Sequence, residues 1–148
     1  MARKRKKASL KTRQANPDSS YWRTKADTLW REMVKKRDGF RCVICGEKNK
    51  LNVHHLVSRK CKHWRCDIDN GITLCPSHHT FNNKLSAHRA PATFCRWLQK
   101  HRPGQWELLC DRLDSIPAAN ASEDAVAAFK AECGTYYEMY SRLCDMVK

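Results

Sequence analysis

Apolar residues recur every three to four positions from Trp22 through Ala26, Leu29, Trp30 and Met33 to Val34, the spacing of one helix face. Asp18-Ser19-Ser20 offers N-cap oxygens ahead of that run and Asp38-Gly39 a stop behind it, so a helix is predicted between them. The Trp stripe at this spacing reads as core. The period then changes. Asn52–Leu56 and Ile72–Leu74 are short and β-prone, the second entered through Asp69-Asn70-Gly71, and read as the two strands of a hairpin. Pro76, with Cys75 as cap, suits the first position of a short helix. Beyond Ala90-Pro91 the helical period returns. Phe94, Trp97 and Leu98 form one face, broken at Arg102-Pro103-Gly104, and Trp106, Leu109, Leu113 and Ile116 form the next. After Ser122 comes a run through Val126, Phe129, Cys133, Tyr136, Tyr140, Leu143 and Val147, read as one long amphipathic helix bent at Gly134. The pattern predicts an α+β chain, mostly helical, with N- and C-terminal helices flanking a strand pair.

Composition sharpens this picture. A length of 148 residues suits one domain with an appended helical piece. The expected divisions are a disordered basic arm over 1–17, a core with its N-terminal helix over 18–102, and a C-terminal helical extension over 103–148. No apolar run is long enough for a membrane span, and no signal-peptide core opens the chain, so a cytoplasmic, intracellular protein is expected. The formal net charge is +14, half of it carried in residues 1–17 by Arg3, Lys4, Arg5, Lys6, Lys7, Lys11 and Arg13. A body as basic as its tail points to a polyanion, and DNA is the expected partner. Arg59, Lys60 and Arg65 read either as phosphate clamps or as a solvated basic loop.

The nine cysteines are an odd number in a chain without an export signal, which favours metal ligation plus buried thiols over disulfides. Cys42-Val43-Ile44-Cys45 has the form of a zinc knuckle. Cys75-x2-His78 repeats its spacing and completes four tetrahedral ligands for a structural Zn²⁺. His79 lies four residues from Cys75 and competes with His78 for the fourth place. Four of the seven histidines stand in two pairs, His54-His55 and His78-His79, which is more than one ion needs. His79 and Asn83 share a helix face about 100° round from Cys75 and His78, so one short helix can serve two metals. Cys95, Cys110, Cys133 and Cys144 fall on or near apolar faces and read as buried thiols.

With those residues in order, the chain resembles the HNH endonucleases of the ββα-metal fold, specifically the small zinc-stapled members of bacterial and phage genomes. The resemblance rests on Cys42-x2-Cys45, His54-His55-Leu56, Asn70-Gly71-Ile72-Thr73-Leu74-Cys75 and His78-His79, and spans roughly residues 26–100. It implies a ββα-metal core with a zinc staple and a DNA endonuclease activity. It further implies His55 as general base, Asn70 as the residue that pins the loop, and His79 and His54 as ligands of a catalytic divalent ion. That ion would be Mg²⁺ or Mn²⁺, with Ni²⁺ also suited to imidazole. For the third ligand, Asn83 shares the face of His79, whereas His88 would reach the ion only if the helix ended first. Two rival readings are a zinc-stapled binding module without turnover, and a recombination or packaging accessory that cuts only beside a protein partner in a phage or mobile-element setting.

Overall fold

The computed structural model describes residues 8–148. Helices α1 (Leu10–Ala15) and α2 (Ser20–Arg37) precede strands β1 (Asn52–His55) and β2 (Gly71–Leu74). Helices α3 (Pro91–His101), α4 (Pro103–Ser115), α5 (Glu123–Ala131) and α6 (Tyr136–Asp145) follow. The chain is α+β and mostly helical, as its pattern predicts. No helix among the described residues is long and apolar enough to cross a membrane.

The strands form one antiparallel pair, with Asn52 opposite Leu74, Val53 opposite Thr73, His54 opposite Ile72 and His55 opposite Gly71. Residues directly opposite one another share a face of the sheet, so His54 lies with Ile72 and His55 with Gly71. All four β2 residues are buried, because each face of the hairpin carries its own apolar cluster. One face packs Ile72 and Leu74 with Val57, Phe94, Leu98 and Leu109. On the other, Ala26, Trp30 and Val34 of α2 meet Met139 and Leu143 of α6. A Cβ at Gly71 would lie 2.7 Å from both Trp30 and Val34, so only glycine allows α2 this close to β2.

Asp38 ties three elements together. Its side chain is 1% exposed, is held by Arg37 and Arg102 at 3.0 Å each, and accepts the Thr73 amide at 2.9 Å. The turn that ends α2 is thereby joined to the middle of β2 and to the start of α4.

Four details of the structure bear on the expected organisation. Residues 1–7 of the expected arm lie outside the described residues, but Leu10–Ala15 is helical, capped by the Ser9 side chain at 3.2 Å from the Thr12 amide. Within the 103–148 segment, Leu109 enters one cluster, and Met139 and Leu143 enter the other. The single long helix expected after Ser122 is two. Gly134 adopts φ +64°, which L side chains avoid, and Thr135 restarts the chain with a reciprocal cap to Glu138. Of the four cysteines expected to be buried, Cys133 is, while Cys95, Cys110 and Cys144 are half-buried.

Candidate metal centre

The knuckle is built from the backbone first. The Gly46 amide donates to Cys42 O at 2.8 Å and the Cys42 amide to Glu47 O at 2.7 Å, closing a tight turn. The Val43 amide donates to Thr73 O at 3.1 Å and fastens that turn to β2. Cys75 follows β2 directly, and His78 stands in a π-helical turn, Ser77–Phe81. One ligand atom from each of Cys42, Cys45, Cys75 and His78 lies within 4.8 Å of all the others.

Tetrahedral zinc, at its usual bond lengths to sulfur and imidazole, requires S···S separations of about 3.8 Å and S···N separations of about 3.6 Å. Here Cys45 Sγ is 3.8 Å from Cys75 Sγ, and His78 Nδ1 is 3.6 Å from Cys42 Sγ and 3.3 Å from Cys75 Sγ. The four residues could hold a metal ion such as zinc, and the competition between the two helix histidines falls to His78. Burial lowers the pKa of the His78 imidazole, which keeps it neutral and ready to ligate. Burial opposes ionisation of Cys42, but the amides of Cys75, Cys45 and Ile44 outweigh it and lower that thiol.

A second cluster stands on the other side of the same turn. His54, His79 and His88 place one ring nitrogen each within 4.8 Å of the others. His54 is pushed down to about 3, first by burial and then by His79 and His88; His79 is lowered by burial and by His88. Three imidazoles with their ring nitrogens this close together could hold a cation.

The third ligand expected from the helix face, Asn83, is displaced. The turn closes early, with the Asn82 amide donating to Ser77 O at 2.9 Å. Asn82 then becomes extended, and its side chain accepts the Lys84 and Leu85 amides at 2.8 and 2.9 Å. The chain doubles back, so the His88 amide meets His79 O at 3.2 Å, while exposed Asn83 accepts from Arg89 at 3.3 Å. The signal for His88 in the sequence was weak: the turn-forming pair Asn82-Asn83 between two histidines.

His55 points away from this cluster. Its ring stacks on Trp30 with centroids 4.0 Å apart, and its Nε2 is 3.0 Å from the Arg65 carbonyl oxygen. A carbonyl only accepts, so Nε2 carries the hydrogen and Nδ1 keeps the lone pair in the neutral ring. Burial lowers the pKa of His55, with the nearby Arg65 charge assisting. Asn70 is fully buried. Its Oδ1 accepts the Val57 amide at 2.7 Å, and its Nδ2 donates to Val57 O at 3.1 Å and Trp64 O at 3.0 Å. It thus joins both ends of the loop that carries Arg59, Lys60 and Arg65. A cleft of about 540 Å³ at the end of the hairpin is lined by His54, His55, Ser58, Arg59, His79 and His88.

Of the three expected phosphate clamps, Arg59 borders the cleft and Lys60 is exposed beside it. Arg65 is corrected. Its side chain is only 13% exposed, and its guanidinium forms a two-pronged pair with Asp27 at 2.8 Å on each side and donates to Arg59 O at 2.7 Å. Asp27 and Trp30 face the loop from α2; the sequence places Trp30 in the core but gives neither a role beside His55, because neither stands near the histidines in the chain.

No family model and no solved structure matches the chain. Among curated proteins it is similar to anaredoxin of Nostoc sp. (strain PCC 7120 / SAG 25.82 / UTEX 2576), with 41% identity over 54 residues. The match spans 36% of this chain and 70% of anaredoxin. With that identity over more than two thirds of the relative, the chain belongs to the anaredoxin family.

Proposed function

We propose that this protein is a metal-dependent DNA endonuclease of the HNH type. In this reading β1, β2 and the π-helical turn are its ββα-metal core, and Cys42, Cys45, Cys75 and His78 are its zinc staple. The observation that carries the proposal is the cleft lined by the His54–His79–His88 cluster and, outside that cluster, by a fourth histidine, His55. A zinc-stapled binding module needs only the four staple ligands.

Each residue then has one task. His54, His79 and His88 hold the divalent ion, and an all-imidazole set suits Ni²⁺ better than Mg²⁺ or Mn²⁺. When bound, that ion supplies positive charge to the scissile phosphate and the leaving oxygen. His55 Nδ1 takes the proton of the attacking water, a task for a neutral imidazole. Asn70 keeps the loop closed over the ring. Arg59, Lys60 and the basic N-terminal segment bind phosphate, so affinity falls as salt rises.

The test is nicking of supercoiled plasmid in the presence of Mn²⁺, Ni²⁺ or Mg²⁺. His55→Ala should lower the rate about 10²–10⁴-fold at every metal concentration. His54→Ala, His79→Ala and His88→Ala should recover part of their activity as metal is raised. Absence of cleavage with all three ions, while DNA is still bound, would return the protein to a binding module. Cleavage that appears only with an added partner protein would make it an accessory.

The relative's name raises a second reading, electron transfer at an iron ion held by the same Cys₃His set, since tetrahedral sulfur-rich sites serve iron as well as zinc. Elemental analysis of protein purified without chelator separates the two, and a visible thiolate-to-iron absorption band would favour the second.

A further inference from the structure

Arg65 is a cation diverted from phosphate. Three of its five donors are spent inside the protein: Nε and Nη2 on Asp27 at 2.8 Å each, and Nη1 on Arg59 O at 2.7 Å. A phosphate gripped by the two-pronged edge of this side chain would have to displace Asp27 from a mostly buried ion pair. The backbone of the same residue does something else. Its carbonyl oxygen receives Nε2–H of His55 at 3.0 Å. Asp27 stands three residues before Trp30 on α2, so both project from one face of that helix. One holds the loop that carries the carbonyl, and the other stacks on the imidazole, its plane tilted only 18° from the ring.

We infer that the Asp27–Arg65 pair is a positioning device for His55. The clamped guanidinium fixes the Arg65 carbonyl against Nε2, selects the Nε2–H tautomer and leaves Nδ1 as the lone-pair nitrogen on the cleft. Neither Asp27 nor Arg65 touches substrate. The bond to Nε2 and the stacking of the ring stand on geometry alone; the place of Nδ1 on the cleft and its use in proton abstraction rest on the nuclease reading above.

The experiment uses the full-length, zinc-loaded protein labelled with ¹⁵N, and reads the His55 tautomer from long-range ¹H–¹⁵N correlations. The wild type and Asp27→Glu, which keeps a carboxylate, should show the Nε2–H tautomer. Asp27→Asn and Arg65→Lys should show a mixture of tautomers at unchanged zinc content. Arg65→Lys keeps the charge but loses the planar fork. In the plasmid assay both should lower kcat about 10–100-fold, the range found when supporting residues behind a site are lost, with KM and salt dependence unchanged. A phosphate clamp predicts the opposite. Asp27→Asn would then free Arg65 and lower KM, and Arg65→Lys would retain kcat. Retention of a single Nε2–H tautomer in both Asp27→Asn and Arg65→Lys overturns the inference. A wild type that cuts no DNA, alongside variants that scramble the tautomer, would end the nuclease reading and uphold the positioning role.

Discussion

At the scale of the residue, the histidines carry a cost in acid that sets a prediction. His54 has an ordinary pKa of 6.5 when unfolded and about 3 when folded. The unfolded chain therefore takes up the proton first as pH falls. The stabilising effect of a neutral His54 is complete above pH 6.5 and is lost progressively from there towards pH 3, at no more than about 1.4 kcal/mol per pH unit. Urea unfolding without added divalent cation should show this slope, and His54→Gln should flatten it. Equal slopes in the two proteins would mean that His54 is already solvated when folded. The staple gives a second prediction at this scale. Cys42→Ser should lose zinc and unfold the knuckle together with β2, because a structural site contributes folding energy directly. Zinc stoichiometry beside circular dichroism checks it.

At the scale of the element, Gly71 is where α2 and the hairpin come closest. Gly71→Ala would drive a methyl group into Trp30 and Val34, and overpacking of that kind costs about 1–3 kcal/mol. Since Trp30 also stacks on His55, the melting temperature and the ¹⁵N signals of His55 should shift together. Asp38→Ala leaves Arg37, Arg102 and the Thr73 amide without their shared acceptor. Breaking a buried ion pair from one side costs about 3–5 kcal/mol, so a chemical denaturation midpoint well below wild type is expected. How far these elements could be read in advance depends on the range of the force that makes them. The 3.6-residue period of Trp22–Val34 and of Phe94–Leu98 is a local signal, and α2 and α3 formed where it predicted. The Cys42-x2-Cys45 and Cys75-x2-His78 spacings are local too, and their ligand atoms meet. The helix expected to carry Asn83 failed because Asn82 closed the turn one residue early, a competition that periodicity does not register. Arg65 was read by charge alone, yet its partner Asp27 lies 38 positions away and is brought near only by the packing of α2. Gly134 looked like a bend, because a capping box at Thr135 and a kink inside one helix leave similar apolar spacings.

At the scale of the whole molecule, the hairpin is a thin wall between two cores that draw on different parts of the chain. The core behind His54 is assembled from residues 42–109, and the core behind His55 needs α2 and α6 together. The tyrosines at the start of α6 are fastened to the segment before α2, the Tyr137 amide to Pro17 O at 3.0 Å and the Tyr136 amide to Asp18 at 3.2 Å. Removing residues 136–148 should therefore uncover Trp30 while zinc remains bound. Red-shifted tryptophan emission with zinc content retained is the expected result, and unchanged emission would show that α6 is dispensable.

That division has a consequence for how the protein is made. As the chain leaves the ribosome, the staple ligands and the helices that cover them emerge within one short interval, so the metal-bound half can close early. The apolar face of α2 emerges before all of them, yet waits for Met139 and Leu143, roughly a hundred residues later. Until those arrive, Trp30 and Val34 can be covered only from the side of the hairpin, by Gly71 and His55. The side of the hairpin that carries the histidine opposite Gly71 is thus the last to be closed, after the four residues that could hold a metal ion have already met.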